Sequence, residues 1–281
     1  MNPKEFLYCV LGYGNSPDRE NVPYDVDYRR LNRWRALADL SLIVAAVLSL
    51  IPLVSGLPSW MSRAVGFLAF LALILNYTVT TTNSTILLPK ADHKRIIGLV
   101  DDSFHTQFSV QEVSRFFDNA KLDPGVYKLI ANSFQNTHTT YRLLSEQTKC
   151  VVLRTSVVSA ILLAALFSGI KDNALALPLL QVFLSTVFMT RLIHHLRLTA
   201  NLRELDEQFQ HLFASFQGKK VEQVFFATGL ALSMEYQRAL ACFDEASVSS
   251  PVYARYNAEV TAQWYGRVEQ LGIHGELPKP E

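Results

Sequence analysis

The chain offers seven histidines, three cysteines and a few polar residues inside apolar runs as raw material for chemistry. None of them falls into a catalytic pattern. The motifs GxxxxGK[ST], HExxH and GxSxG are absent, and no pair of carboxylates has the spacing of an acid–base couple. Asp101, Asp102 and His105 lie within four residues of one another, so on a helix they could share a face. An acidic solvent face is the simpler reading of them. His194 and His195 are adjacent and point apart on a helix, which suits hydrogen bonds to backbone or lipid headgroups better than joint metal ligation. Gly12-Tyr13-Gly14 has the look of a phosphate loop but lacks a third glycine and a preceding strand, so a turn is expected. Cys9, Cys150 and Cys242 are odd in number, far apart and form no CxxC pair, which argues against a disulfide framework and a thiolate metal site and fits a reducing compartment. No catalytic residue, metal or cofactor is expected.

The polar groups that stand out are those inside apolar stretches, where lipid would make them costly. Asn76 and Gln181 would each seek a partner helix or an aqueous path. Arg154 and Arg191 sit about one turn inside the ends of two apolar runs. There they can snorkel to headgroups or form a basic ring at the inner mouth of a pore, which would favour anions. These four are the candidate pore-lining or gating residues. The run Thr78–Thr82 fits such a mouth or a helix leaving the membrane.

The elements that position them are apolar helices. The chain has 281 residues, of which 49% are hydrophobic and 18% charged, and that charge fraction lies below the quarter usual in soluble domains. Net charge is +1, which argues against gripping nucleic acid. Residues 1–35 read as a cytoplasmic lead without a signal peptide. Residues 36–82 read as a first transmembrane hairpin, turning at SGLPSWMSR. Residues 83–150 form a central helical segment, with Pro89 ending the second span. Residues 151–193 form a second hairpin turning at KDNA, and residues 194–281 form cytoplasmic helices. Each span approaches the ~20 apolar residues that a bilayer core demands. Arg29, Arg30, Arg33 and Arg35 precede the first span, and lysines and arginines crowd the central segment and the tail. The positive-inside rule therefore places both termini in the cytoplasm.

Outside the spans, Ile96, Val100, Phe104 and Phe108 predict one apolar helix face, and Leu122-Asp123-Pro124-Gly125 a turn. A helix from Val126 runs into the third span. Leu198, Leu202, Leu205, Phe209, Leu212 and Phe216 form a 4-3-4-3-4 seam ended by Gly218. Packing within the subunit accounts for this seam better than an oligomer contact. Two further helices follow, broken at Ser249-Ser250-Pro251. The fold class is thus an all-α membrane protein: two transmembrane hairpins, four spans in all, with a cytoplasmic domain built from the central segment and the tail.

The lead Tyr24–Arg35, the first hairpin, the segment LLPKADHKRIIGLVDDSF, the two-span return and PVYARYNAE together resemble the SMODS-associating four-transmembrane pore-forming effectors, which are SLATT-like proteins of bacterial defence. The resemblance implies an inner-membrane effector, silent until triggered, that permeabilises the membrane to stop phage spread. It also implies a soluble defence-system partner or second-messenger sensor, because no nucleotide-sensing domain is visible here. A homo-oligomer embedded in the lipid bilayer is expected, since four thin helices leave little room for an aqueous path. A constitutive transporter or channel subunit and a non-conducting adaptor are the competing readings.

Overall fold

The structure is a computed structural model that describes residues 25–51, 58–109, 119, 121–167, 190–219, 221–242 and 248–273. Among these residues there is no strand. The helices are α1 (Asp25–Leu50), α2 (Ser59–Thr82), a π-turn (Asn83–Leu87), α3 (Leu88–Phe104), α4 (Val126–Phe167), α5 (Thr190–Ser215), α6 (Gln223–Ala241) and α7 (Ser250–Leu271). The described residues divide into two compact units, one of residues 29–88, 149–167 and 190–193, the other of residues 25–28, 89–148 and 194–273.

Two expected breaks are helical instead. Ser59-Trp60-Met61-Ser62-Arg63, read as part of a turn, forms the first turns of α2, whose leading amides Met61 and Ser62 bond to Pro58 O at 3.0 and 3.2 Å. Pro89, read as a helix end, lies inside a continuous helical run. Proline has no amide hydrogen to donate and crowds the carbonyl four residues back. The π-turn just before it widens the helix, with the Leu88 amide reaching back to Asn83 O, so the chain continues without a clash.

The first unit pairs α1 with α2. α1 buries Leu31, Ala38, Ser41, Leu42 and Ala45, and α2 buries Ala69, Asn76 and Val79. Small residues on both stripes let the backbones approach closely. Asn76 Nδ2 donates to Ala38 O at 2.7 Å, and Ser41 Oγ donates to the same carbonyl at 2.8 Å. The run Ser59–Phe104 is long and apolar enough to cross a membrane, and among the described residues no other helix is. The described apolar part of α1 ends at Leu50 and that of α4 at Phe167, both short of spanning length beyond their basic leads. Residues 168–189, which carry most of the fourth expected span, lie outside the described residues. Cys150 is disulfide-bonded and Cys242 is free and exposed.

The second unit is a helical bundle around an aromatic core. Phe134 of α4 stacks on Phe209 and Phe213 of α5, each at 5.4 Å, and meets the Trp264 edge of α7 at 5.1 Å. Such aromatic pairs add about 0.5–1.5 kcal/mol each beyond simple burial. The seam residues Leu198, Leu202, Leu205, Phe209 and Leu212 are all buried in this core, and Phe216 packs against it just past the end of α5. α7 closes with Gly272 at φ 65°, where the Gly272 amide bonds Glu269 O and the Ile273 amide bonds Val268 O. That pair of hydrogen bonds is a Schellman cap, and it needs a residue at ease in the left-handed region. α3 departs from its expected face: Ile96, Phe104 and Phe108 are exposed, and α3 ends at Phe104. Its buried side carries Ala91, Leu99, Asp101 and Ser103 instead, because polar bonds rather than apolar periodicity hold it in place.

Two glycines on this unit's helices separate packing from propensity. A Cβ on Gly229 of α6 would lie 2.5–2.9 Å from three side-chain atoms of Ile130, whereas a Cβ on Gly266 of α7 would meet nothing within 4 Å. Gly229→Ala should destabilise the chain by about 1–3 kcal/mol through overpacking. Gly266→Ala should stabilise it by up to ~1 kcal/mol. Thermal unfolding of the two variants checks the opposite signs; a Gly229→Ala chain as stable as wild type would refute the contact.

Candidate functional site

Of the four candidate pore residues, Asn76 is the one whose side chain is among those described. Asn76 is committed to Ala38 O, a helix–helix bond. Arg154 and Arg191 lie on α4 and α5, but their side chains are outside the described residues, as is Gln181 altogether.

The described chemistry is concentrated instead in buried polar clusters of the bundle. The first is centred on Asp206 of α5, 2% exposed. Arg267 Nη1 of α7 donates to both carboxylate oxygens at 2.9 and 3.0 Å, and His138 Nδ1 of α4 donates to Oδ1 at 3.1 Å. The carboxylate is an acceptor only, so the Nδ1 proton is assigned by its partner. His138 is fully buried, and burial holds its pKa below the usual histidine value despite the carboxylate. Its Nε2 atom and Trp264 Nε1 have no hydrogen-bond partner. An Asp–His pair is half of a nucleophile-activating relay, but a relay also needs a nucleophile on the free imidazole nitrogen. Among the described residues no nucleophile is hydrogen-bonded there.

The second cluster joins the end of α3 to the start of α4. Asp101 accepts from Thr106 Oγ1 and from the amides of Phe108 and Ser109 at 2.7–2.9 Å. Burial pushes its carboxyl up, but these bonds outweigh it and bring the pKa down to about 2. His105, at φ 53°, turns the chain out of the helix. Asp101, Asp102 and His105 therefore do not form the acidic solvent face expected of them, because Asp101 points inward to hold a loop. Asp102 pairs with Lys128, itself 2% exposed, at 3.3 Å, and accepts from Asn132 Nδ2 at 2.8 Å. Asn119 Nδ2 donates to Asn132 Oδ1 and Gln135 Oε1, each at 3.0 Å. Asp102 is paired with a buried lysine and Asp101 is held by three neutral donors, which marks the cluster as a structural lock.

A third set links Tyr28 to Asp92 at 2.6 Å and Arg95 to Gln237 at 2.7 Å, with Arg95 over the Tyr236 ring. His195 bonds Thr148 Oγ1 at 2.9 Å and lies 3.3 Å from Leu144 O, so it meets backbone as expected of a histidine at this position. Burial lowers its pKa as well. Among the described residues no group of His, Cys, Asp and Glu could hold a metal ion. An open groove of about 330 Å³ between α5 and α6 is lined by Gln208, His211, Leu212, Ser215, Phe216, Thr228 and Leu232. Comparison with family models, curated proteins and solved structures finds no match.

His138 and His195 are both neutral in the fold, with pKa values below their unfolded value of about 6.5. The unfolded chain then binds more protons as pH falls below that value, so stability is lost on acidification from about pH 7 to 5. His138→Asn keeps a donor for Asp206 without a titrating ring and should flatten part of that slope in denaturant unfolding. An unchanged slope would show that His138 does not titrate between the two states. Asp206→Asn, which leaves Arg267 without its counter-charge, should cost about 3 kcal/mol in the same experiment.

Proposed function

We propose that this chain is a four-span inner-membrane protein with both termini in the cytoplasm. In this reading its membrane half works as a regulated pore or membrane-disrupting element, and the chain is an effector of bacterial anti-phage defence. The observation that carries the membrane reading is the exposure of α2. Phe67, Leu68, Phe70, Leu71, Ile74, Leu75 and Tyr77 are between 44% and 73% exposed, and only 11% of the most apolar stretch of this helix is buried. A soluble protein buries such a helix in its core, and one left bare is matched by lipid or by other copies of the chain.

The effector reading is supported by the separation of tasks. In the bundle the buried Asp206 and Asp102 are paired with Arg267 and Lys128, and in the other unit α2 presents apolar surface. The defence context rests on the sequence likeness described above. In this reading the chain assembles as a homo-oligomer, and its trigger is a soluble defence partner or a second-messenger sensor acting on the bundle.

Phe70 and Ile74 are one turn apart on the exposed face of α2. A Phe70→Lys, Ile74→Lys double variant should lose membrane retention in an alkaline carbonate wash, because each lysine costs about 2.5–3.5 kcal/mol at the centre of a span. A face in water would accept both lysines with no change in partition. For the effector reading, a membrane-potential dye in bacteria expressing the chain should report depolarisation on phage infection, and the lysine variant should abolish it. A potential unaffected by infection in wild-type cells would sink the pore and favour the adaptor.

A further inference from the structure

Asn76, Thr80 and Asn83 are spaced four and three residues apart, so they line one face of α2 and of the π-turn that follows. Their surroundings differ. The Asn76 amide is satisfied by Ala38 O. Thr80 Oγ1 is buried without a partner, and so are both amide atoms of Asn83, a residue only 5% exposed. The nearby Ser84 and Thr85 hydroxyls both turn back to Thr81 O. A leucine at position 83 would avoid the cost of an unpaired buried amide. The amide also stands where the helix opens into a π-turn, a geometry that recurs at functional sites.

We propose that Thr80 and Asn83 form a polar site for water and small hydrated solutes at the cytoplasmic end of the second span, the hydrophilic neck of the membrane path. The inference rests on the spanning reading above. It moves the lining away from Asn76, whose amide already serves the contact between α1 and α2. A hydroxyl and an amide supply donors and acceptors but no charge. The neck therefore admits water and small solutes without the anion preference that a basic ring imposes.

The test uses the full chain with Cys242→Ser, reconstituted in vesicles of phosphatidylethanolamine and phosphatidylglycerol. Thr80→Cys and Asn83→Cys should react with a small charged methanethiosulfonate at least about tenfold faster than Val79→Cys, because the reactive thiolate forms only where water reaches. Val79 is the control, being 3% exposed on the same helix. Equal rates at the three positions overturn the site. Asn83→Leu should raise the thermal midpoint of the detergent-purified chain and remove its depolarising activity. A lowered midpoint, or a raised midpoint with depolarisation intact, also overturns it. Carbonate extraction of the wild-type chain would instead overturn the spanning reading, and this site with it. If the wild-type chain never depolarises, the pore reading fails, and the thiol rates and the midpoint decide the site.

Discussion

The bundle unit depends on one buried carboxylate. A carboxylate as enclosed as Asp206 would cost several kcal/mol if left unpaired. Its two partners come from different helices, 68 residues before it and 61 after it. Satisfying it therefore fixes α4, α5 and α7 together. The aromatic stack of Phe134, Phe209, Phe213 and Trp264 can close only when those three helices are in register. The apolar core supplies the drive to collapse, and the Asp206 cluster selects which collapsed arrangement is kept.

The hairpin unit obeys a different constraint. Most of the apolar surface of α2 is left bare, so close packing and a few polar bonds, rather than an enclosed apolar core, hold it to α1. Ala38, Ser41 and Ala45 on α1 and Ala69 on α2 provide the close approach, and Asn76 to Ala38 O provides the bond. Pro89 would ordinarily end such a helix. The π-turn lets the run continue at the cost of an irregular turn, and that turn carries the Asn83 amide that lacks a partner.

Much of the bundle was legible because its helices repeat their apolar residues at 3.6-residue spacing. The seam from Leu198 to Leu212 reads as a core face and is one. The turn at Leu122–Gly125 and the stop at Gly218 follow from residues at ease where few others are, with Gly218 at φ 69°. What could not be read follows equally from physics. The Asp206 cluster joins residues far apart in the chain, and nothing local in the sequence signals such a pair. The face of α3 was misread because Asp101, Asp102 and Ser103 fix it through polar bonds, and those bonds turn Ile96 and Phe104 outward. Asn76 was identified as a polar group needing a partner. Which partner it takes was decided by the small residues of α1, whose packing is visible only in three dimensions.

The three tryptophans sit in two distinct settings. Trp264 is fully enclosed in the bundle core, in contact with Phe134 and beside His138, whereas Trp34 on α1 and Trp60 at the start of α2 are exposed, the latter at 65%. Indole emission shifts with the polarity around the ring, so the chain carries its own optical labels for its two units. With Trp34 and Trp60 replaced by phenylalanine, the remaining signal reports the bundle alone. With Trp264 replaced, it reports whether α1 and α2 meet water or lipid.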